Sequence, residues 1–149
     1  MIFGARFVIY LTFILMFALS FRKGTKEKKA TLLAILSIPI LVLMVKIIHI
    51  FYFEPRPFVT YNFSPLINPV GDASFPSVHT TLMATLAFSF VYFKSKWAMV
   101  FLLLALWVGV SRIYVGVHYP IDIIGGVIVA LISLTIALQV KKLLKHLLF

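Results

Sequence analysis

The chain contains no cysteine and few charged residues, and each shortage excludes a class of protein. Without cysteine there is no disulfide, no thiolate metal site and no cysteine nucleophile. Only 12% of the 149 residues are charged, whereas a soluble domain has roughly 25%. Hydrophobic residues make up 62% of the chain, and the mean hydropathy is +1.10. The chain therefore has too little polar surface for a soluble domain, and part of it must face lipid.

Acidic residues are especially scarce, since four Asp and Glu stand against 14 Lys and Arg and leave a formal charge of +10. In a soluble protein this excess would suggest a nucleic-acid partner. Here the basic residues lie in short clusters between apolar runs, as in the cytoplasmic loops of membrane proteins. We therefore expect contact with membrane lipid and no nucleic-acid partner.

Five apolar runs predict an all-α integral membrane protein, a bundle of five transmembrane helices in one domain, residues 1–149. The runs are 2–21, 30–53, 79–93, 97–110 (continuing towards 117) and 121–140. A spanning helix needs about 20 residues, so the third and fourth runs are short. The first run could instead be a signal peptide, but its length and the basic cluster after it favour an uncleaved span.

The distribution of basic residues predicts the orientation. Ten of them follow the first and third runs or lie in the C-terminal tail. The positive-inside rule therefore places the N-terminus outside and the C-terminus in the cytoplasm. The connection 54–77 then lies outside, where its five prolines predict a structured cap without regular helix.

The segment 111–122 contains the strongest chemical signal on that outer side. Pro120 is suited to the first turn of a helix, so Asp122 lies in that turn and His118 just before it. The carboxylate can accept one imidazole N–H, which leaves the other ring nitrogen as a nucleophile. Arg112, six residues before His118, can bind two phosphoryl oxygens at once.

Two further segments add polar groups to the same side. Pro76 marks another helix start, where free N–H groups and the Ser77 hydroxyl can bind an anion. A protonated His79 can deliver a proton to a departing oxygen. Arg56, between Pro55 and Pro57, offers a second guanidinium on a stiff backbone. Together these residues indicate phosphoryl transfer through a phosphohistidine.

These segments resemble the signatures of the type-2 phosphatidic acid phosphatase superfamily. Ser111-Arg112, His118 and Asp122 match its third signature, and Pro76-Ser77-Val78-His79 matches its P-S-x-H signature. Arg56-Pro57 matches half of the first signature, K-x6-R-P. Within the superfamily, the runs 55–59, 72–77 and 112–120 are most similar to the bacitracin-resistance type of undecaprenyl pyrophosphate phosphatase, although Val78 replaces a usual acidic residue.

The resemblance implies a metal-independent membrane lipid phosphatase that uses no cofactor and recycles the carrier lipid for cell-envelope synthesis. His118 would attack the terminal phosphorus, Asp122 would orient it, and His79 would protonate the leaving group. Arg56, Arg112 and Ser77 would hold the phosphoryl oxygens. His49 stands where the motif has lysine, and Lys46 lies one turn earlier. Either one is a possible phosphate ligand, or His49 is a core residue and Lys46 extends to the interface.

The sequence also allows other functions. Phosphatidylglycerophosphate or phosphatidate would present the same terminal phosphate as a polyprenyl pyrophosphate. A haem-binding electron carrier would use histidines of neighbouring helices as ligands, but the arginines and prolines beside His79 and His118 argue against it. A catalytically silent lipid-binding protein could keep the fold, yet relatives of that kind usually lose the nucleophile or its carboxylate. The oligomeric state is open.

Overall fold

The computed structural model describes residues 1–21, 25–68 and 71–148, with side chains to residue 143, and these segments contain helices and no strands. The helices are α1 (Ile2–Arg6), α2 (Val8–Ser20), α3 (Thr25–Phe51), α4 (Pro57–Thr60), α5 (Val78–Tyr92), α6 (Ala98–Tyr114) and α7 (Pro120–Leu148). The all-helical fold class expected from the sequence is thus confirmed.

The five apolar runs are helical, but their lengths differ from the prediction. The first is divided at Phe7 into α1 and α2, and α3 begins at Thr25 because the lysine-rich segment before residue 30 is helical as well. Within the described residues, Thr25–Phe51 and Pro120–Leu143 are long and apolar enough to cross a membrane. Val8–Ser20, α5 and α6 are shorter apolar helices. The number of five full spans is therefore not confirmed.

Helix α5 lies at the centre of the bundle. It packs against α3, α6 and α7 and touches α2, and Met83, Leu86 and Phe90 are fully buried. The Phe90 ring stacks on Phe101 of α6 with centroids 4.0 Å apart. In contrast, α6 and α7 have little contact with each other. The first turn of α5, where His79 lies, is therefore enclosed by the neighbouring helix ends.

Large apolar side chains cover the outside of the helices. Ile14, Leu32 and Leu106 are each about two-thirds exposed, which is unfavourable in water. In a bilayer these side chains contact hydrocarbon instead of water, so their exposure carries no such cost. The apolar helices therefore indicate a membrane location.

The connection between α3 and α5 corrects one expectation. Its prolines were expected to prevent regular helix, yet Pro57 begins the one-turn helix α4. Proline fits this first position because its missing N–H would have no helical partner. The two ends of the connection also meet. Pro55 pairs with Ala73 in an isolated bridge, and the Ser74 N–H donates to the Glu54 carbonyl over 2.8 Å. The connection thus folds back over the end of the bundle.

Helices α5 and α7 approach closely at Gly126. A Cβ atom there would lie 3.0 Å from the Thr81 hydroxyl and 3.1 Å from the Ser77 carbonyl. One turn earlier, the Ser77 N–H donates to the Asp122 carbonyl over 3.1 Å. Because Gly126 has no side chain, the two helix starts can be held in register.

Replacing Gly126 with leucine should therefore destabilise the protein, because overpacking a tight interface costs about 1–3 kcal/mol. We expect a lower thermal unfolding midpoint in detergent. Ile132→Leu, at a side chain that is 43% exposed, is the matched control and should leave the midpoint unchanged. Equal midpoints for the two variants would contradict the close approach of α5 and α7.

Candidate active site

His118 and Asp122 form the hydrogen-bonded pair expected from their spacing. Because α7 begins at Pro120, Asp122 lies in its first turn, where its Oδ2 atom accepts from the Tyr119 N–H over 2.8 Å. The same Oδ2 atom is 3.1 Å from His118 Nδ1, and both side chains are buried. A carboxylate can only accept here, so Nδ1 carries the proton and Nε2 carries the lone pair.

Two guanidinium groups face that lone pair. Arg56 Nη1 lies 3.4 Å and Arg112 Nη2 lies 3.5 Å from His118 Nε2. Arginine can only donate, so these contacts also require Nε2 to be unprotonated. The ring therefore presents a nucleophilic nitrogen to two guanidinium groups.

Backbone carbonyls hold both arginines in place. Arg56 donates from Nη1 to the Val117 carbonyl and from Nε to the Gly71 carbonyl, each over 3.0 Å. Arg112 donates from Nη1 to the Ala5 carbonyl of α1 over 3.2 Å. These contacts orient both guanidinium groups towards His118, where their charge can attract an anion.

A cavity of about 300 Å³ contains these groups. Five residues selected from the sequence line it, together with the Asp72 carboxylate: His49, Arg56, His79, Arg112 and His118. His79, in the first turn of α5, is partly exposed. The structure thus brings together residues from the 54–77 connection and the ends of α5, α6 and α7. The cavity is large enough for a phosphate group.

His49 and Lys46, the two candidates for the missing motif lysine, occupy different positions. His49 lines the cavity, and its buried Nε2 atom has no hydrogen-bond partner among the described residues. Lys46 is exposed on α3 and does not line the cavity. Of the two, His49 is therefore the one placed to meet a bound anion.

Ser77 is buried and caps α5. Its hydroxyl oxygen accepts from the Thr80 N–H over 3.5 Å and from the Thr80 hydroxyl over 3.1 Å. The side chain is not part of the cavity lining. In this arrangement the structure shows Ser77 fixing the start of α5 and does not bring its hydroxyl to the cavity wall.

Ser74 is a site residue that the sequence reasoning did not select. Its hydroxyl donates to Asp122 Oδ2 and lies 3.5 Å from His118 Nδ1, and its side chain is fully buried. Its only sequence signal is its place in the 72–77 run that carries the resemblance, since a serine in a proline-rich connection is common. The contact arises when the connection folds back over α7.

Burial determines the protonation of the site histidine. It lowers the pKa of the His118 imidazole from its ordinary value; the hydrogen bond to Asp122 opposes this shift, and the positive charges of Arg112 and Arg56 add to it. Burial also lowers the pKa of Arg56, while the carboxylates of Asp122 and Asp72 oppose the shift. At neutral pH His118 is therefore uncharged and Arg56 remains a cation.

Comparisons with known proteins identify the family that the chain resembles. Residues 28–145 match the PAP2 superfamily. The chain is 47% identical over 88 residues to undecaprenyl-diphosphatase BcrC of Bacillus subtilis (strain 168), an alignment that covers 58% of this chain and 45% of that protein. It is 34% identical over 105 residues to the putative undecaprenyl-diphosphatase YbjG of Escherichia coli (strain K12), covering 68% and 51%. The chain thus spans about half the length of these curated relatives.

The fold also has a solved counterpart. The crystal structure of Aquifex aeolicus LpxE superposes with a TM-score of 0.69 at 26% identity, over 93% of this chain and 84% of that chain. The superfamily and subgroup resemblances seen in the motifs are both confirmed by these matches. Since the matched region extends from the start of α3 into the last helix and includes every residue of the cavity lining, the chain belongs to the PAP2 superfamily.

Proposed function

We propose that this protein is a membrane lipid phosphatase that removes the terminal phosphate of a polyprenyl pyrophosphate, such as undecaprenyl pyrophosphate. The observation that carries the proposal is the position of His118 Nε2, which lies within 3.5 Å of two guanidinium groups while Nδ1 is bound to Asp122. A lone pair aimed into a positively charged cavity suits attack on phosphorus. The names of the curated relatives support the choice of substrate.

In the first step, His118 Nε2 forms a bond to the terminal phosphorus while the bond to the bridging oxygen breaks. The polyprenyl monophosphate leaves, and His79 donates a proton to it. Arg56 and Arg112 stabilise the charge on the three non-bridging oxygens as it redistributes. Asp122 stabilises the positive charge that forms on the imidazole ring, with Ser74 and the Tyr119 N–H fixing the carboxylate.

In the second step, water attacks the phosphohistidine. His79, now neutral, accepts a proton from that water, and inorganic phosphate leaves as His118 returns to its starting form. His49 lines the cavity, and its Nε2 atom, which has no partner within the described part of the chain, binds a phosphoryl oxygen in place of the motif lysine. The guanidinium groups supply the positive charge that the reaction needs, so we expect turnover without an added metal or cofactor.

The proposed orientation places this site on the extracytoplasmic side of one domain covering residues 1–149. Basic residues gather at the opposite end of the bundle, which supports it. Lys26 donates to the Lys94 carbonyl over 3.4 Å, and Lys141 lies 5.6 Å from the centre of the Phe93 ring. Because these contacts join three basic segments, their charge is concentrated at one end, as expected for a cytoplasmic face.

The substrate assignment is tested by phosphate release from purified protein in detergent with EDTA present. Undecaprenyl pyrophosphate, phosphatidylglycerophosphate and phosphatidate are compared side by side. We expect strong preference for the pyrophosphate, since its leaving group is already a stable phosphate. Release from only the two glycerolipids would show that the substrate assignment is wrong and that the protein is still a lipid phosphatase. No release from any lipid would favour a silent lipid-binding protein.

Replacing His118 with alanine should lower turnover by more than about 10³-fold, because among the described residues His118 alone has a ring nitrogen facing both guanidinium groups while its other nitrogen is bound to Asp122. The unchanged protein, quenched during turnover of labelled substrate, should carry an acid-labile, base-stable phosphoryl group that the variant lacks. An unchanged thermal midpoint shows that the variant is folded. Substantial turnover by the folded variant would exclude His118 as the nucleophile.

The rate should depend on pH through the neutral form of His118. Because burial lowers the pKa of this residue below 6.5, the nucleophile stays unprotonated when the pH falls to that value. We therefore expect the acid-side decrease in kcat/KM to lie below pH 6.5, while loss of the proton that His79 donates lowers kcat/KM on the alkaline side. Two substrates whose phosphates titrate at different pH separate the enzyme's inflection from the substrate's. An acid-side inflection above pH 6.5 that both substrates share would contradict the assignment.

A further inference from the structure

A groove runs along the outside of the bundle between the end of α5 and the middle of α7, and we call it the α5/α7 groove. It has a volume of about 260 Å³ and is lined by Phe88, Val91 and Tyr92 of α5 and by Leu131, Leu134, Thr135 and Leu138 of α7. The Thr135 hydroxyl donates to the Leu131 carbonyl over 2.9 Å, so this polar group is satisfied within its own helix. Val91 and Leu131 are 42% and 48% exposed, so the apolar lining is open to the surrounding lipid.

The groove leads into a basic hollow at the end of α5. This hollow has a volume of about 380 Å³, and it is lined by Tyr92, Leu138, Gln139, Lys141 and Lys142. Because Tyr92 and Leu138 line both spaces, the groove and the hollow adjoin there. From Leu131 to Lys142 the two together extend about 16 Å along the axis of α7. Among the described residues, an apolar groove thus ends at two cations and no carboxylate.

The direction of the two helices explains this order. Helices α5 and α7 both begin at the active site, where the Ser77 N–H donates to the Asp122 carbonyl, and they run side by side from there. Helix α5 ends at Tyr92, whereas α7 continues to Leu148. The lysines therefore lie just beyond the end of α5 and within the last residues of the candidate membrane span Pro120–Leu143. A helix of this length extends from one polar surface of a bilayer to the other, so the lysines lie at the level of the phospholipid phosphates.

Aromatic rings at the end of α5 position one of the two lysines. The Nζ atom of Lys141 lies 5.6 Å from the centre of the Phe93 ring, a cation–π contact, and Phe93 meets Tyr92 edge to face with centroids 5.0 Å apart. At the same end of the bundle, the carboxylate of Glu27 is buried and accepts from the Ser95 hydroxyl over 2.9 Å. The other acidic residues of the chain lie towards the active site: Glu54, Asp72 and Asp122. Lysines therefore outnumber carboxylates at the end of α5, and this end attracts anions.

A hollow between α5, α6 and α7 shows what the lysines add. It has a volume of about 210 Å³, and none of its lining residues is charged. It offers space for hydrocarbon and no group that binds a charged headgroup. The α5/α7 groove has both kinds of surface, with apolar side chains along its length and two cations at its end. That combination matches an anionic phospholipid, in which an acyl chain and a phosphate are covalently joined.

We propose that the α5/α7 groove binds an anionic phospholipid of the leaflet opposite the active site. One acyl chain lies along the leucines of α7, and Lys141 and Lys142 bind the phosphate, as in other basic sites between transmembrane helices. A zwitterionic lipid binds less well because its ammonium group meets the same lysines. Lys141 lies about 28 Å along α7 from Asp122. This lipid is therefore a ligand of the bundle and not a substrate, and the proposal does not depend on the enzymatic function.

The first test measures binding of phosphatidylglycerol and phosphatidylcholine to the purified protein by native mass spectrometry in detergent. We expect one phosphatidylglycerol to bind about tenfold more tightly than phosphatidylcholine, and Lys141→Gln/Lys142→Gln to remove this difference. Lys28→Gln/Lys29→Gln is the matched control and should keep the difference, because it removes the same charge from exposed positions that do not line the hollow. Equal affinities for the two lipids in the unchanged protein, or equal losses in the two double variants, would overturn the proposal.

The second test locates the acyl chain in the unchanged protein. Phosphatidylglycerol with a diazirine in one acyl chain is photolysed in phosphatidylcholine nanodiscs, and the labelled peptides are mapped. We expect at least about fivefold more label on residues 88–92 and 131–138 than on the exposed apolar face of α6. Phosphatidylcholine with the same diazirine should label the two faces equally. Equal labelling of both faces by phosphatidylglycerol would overturn the proposal.

The third test asks whether a second copy of the chain covers the groove instead. Because the chain has no cysteine, Thr135→Cys and Ile136→Cys each introduce a single thiol on α7, the first in the groove and the second outside its lining. We expect the two variants to form disulfide dimers in nanodiscs at the same slow rate. Rapid dimerisation of Thr135→Cys alone would assign the groove to a second copy and overturn the proposal. None of these measurements requires turnover, so their outcome is separate from that of the phosphate-release experiment.

Discussion

The Asp122 carboxylate is the group on which the arrangement of the site depends. It is fully buried at the start of α7, where Oδ2 accepts from the Tyr119 N–H, His118 and Ser74. A buried carboxylate costs several kcal/mol unless such donors compensate it. The 71–77 segment, the segment before α7 and α7 itself therefore meet at this carboxylate, and the same contacts fix the His118 ring.

The surroundings of His118 are built for an anion. Arg56 and Arg112 face the ring, and carbonyl groups of Gly71, Val117 and Ala5 are among the acceptors that hold them. Arg112 Nε is buried without a hydrogen-bond partner among the described residues. Two positive charges in a low-dielectric cavity repel each other, and a bound phosphate relieves that repulsion. The free energy of this neutralisation favours phosphate binding.

The lipid environment explains why so polar a cluster can exist in so apolar a chain. Side chains on the outside of α2, α3 and α6 are exposed and hydrophobic, so lipid covers the bundle while its polar groups turn inward. The central position of α5 places the cluster at the end of the buried helix. In the proposed enzyme, the substrate's phosphate would bind at this polar cluster while its hydrocarbon chain stays in the membrane.

The helical class, the superfamily and the paired His118 and Asp122 could be predicted from the sequence, because apolar runs and an i, i+4 spacing are local properties of the chain. The selected Arg56, Arg112 and His79 do meet His118 at one cavity. The division of the first apolar run at Phe7 and the helical turn at Pro57 were not foreseen, since packing rather than composition decides such boundaries.

The remaining features depend on contacts between distant parts of the chain. Ser74 reaches Asp122 across 48 positions and Arg112 reaches Ala5 across 107, and no spacing rule encodes either contact. The choice of His49 over Lys46 at the cavity wall depends on the rotation of α3 against α5 and α7. The sequence by itself determined the chemical groups and their local pairing, because these are set within a few residues. Only the tertiary structure decided which groups share the cavity, because side chains and backbone carbonyls far apart in the chain must pack together to form it.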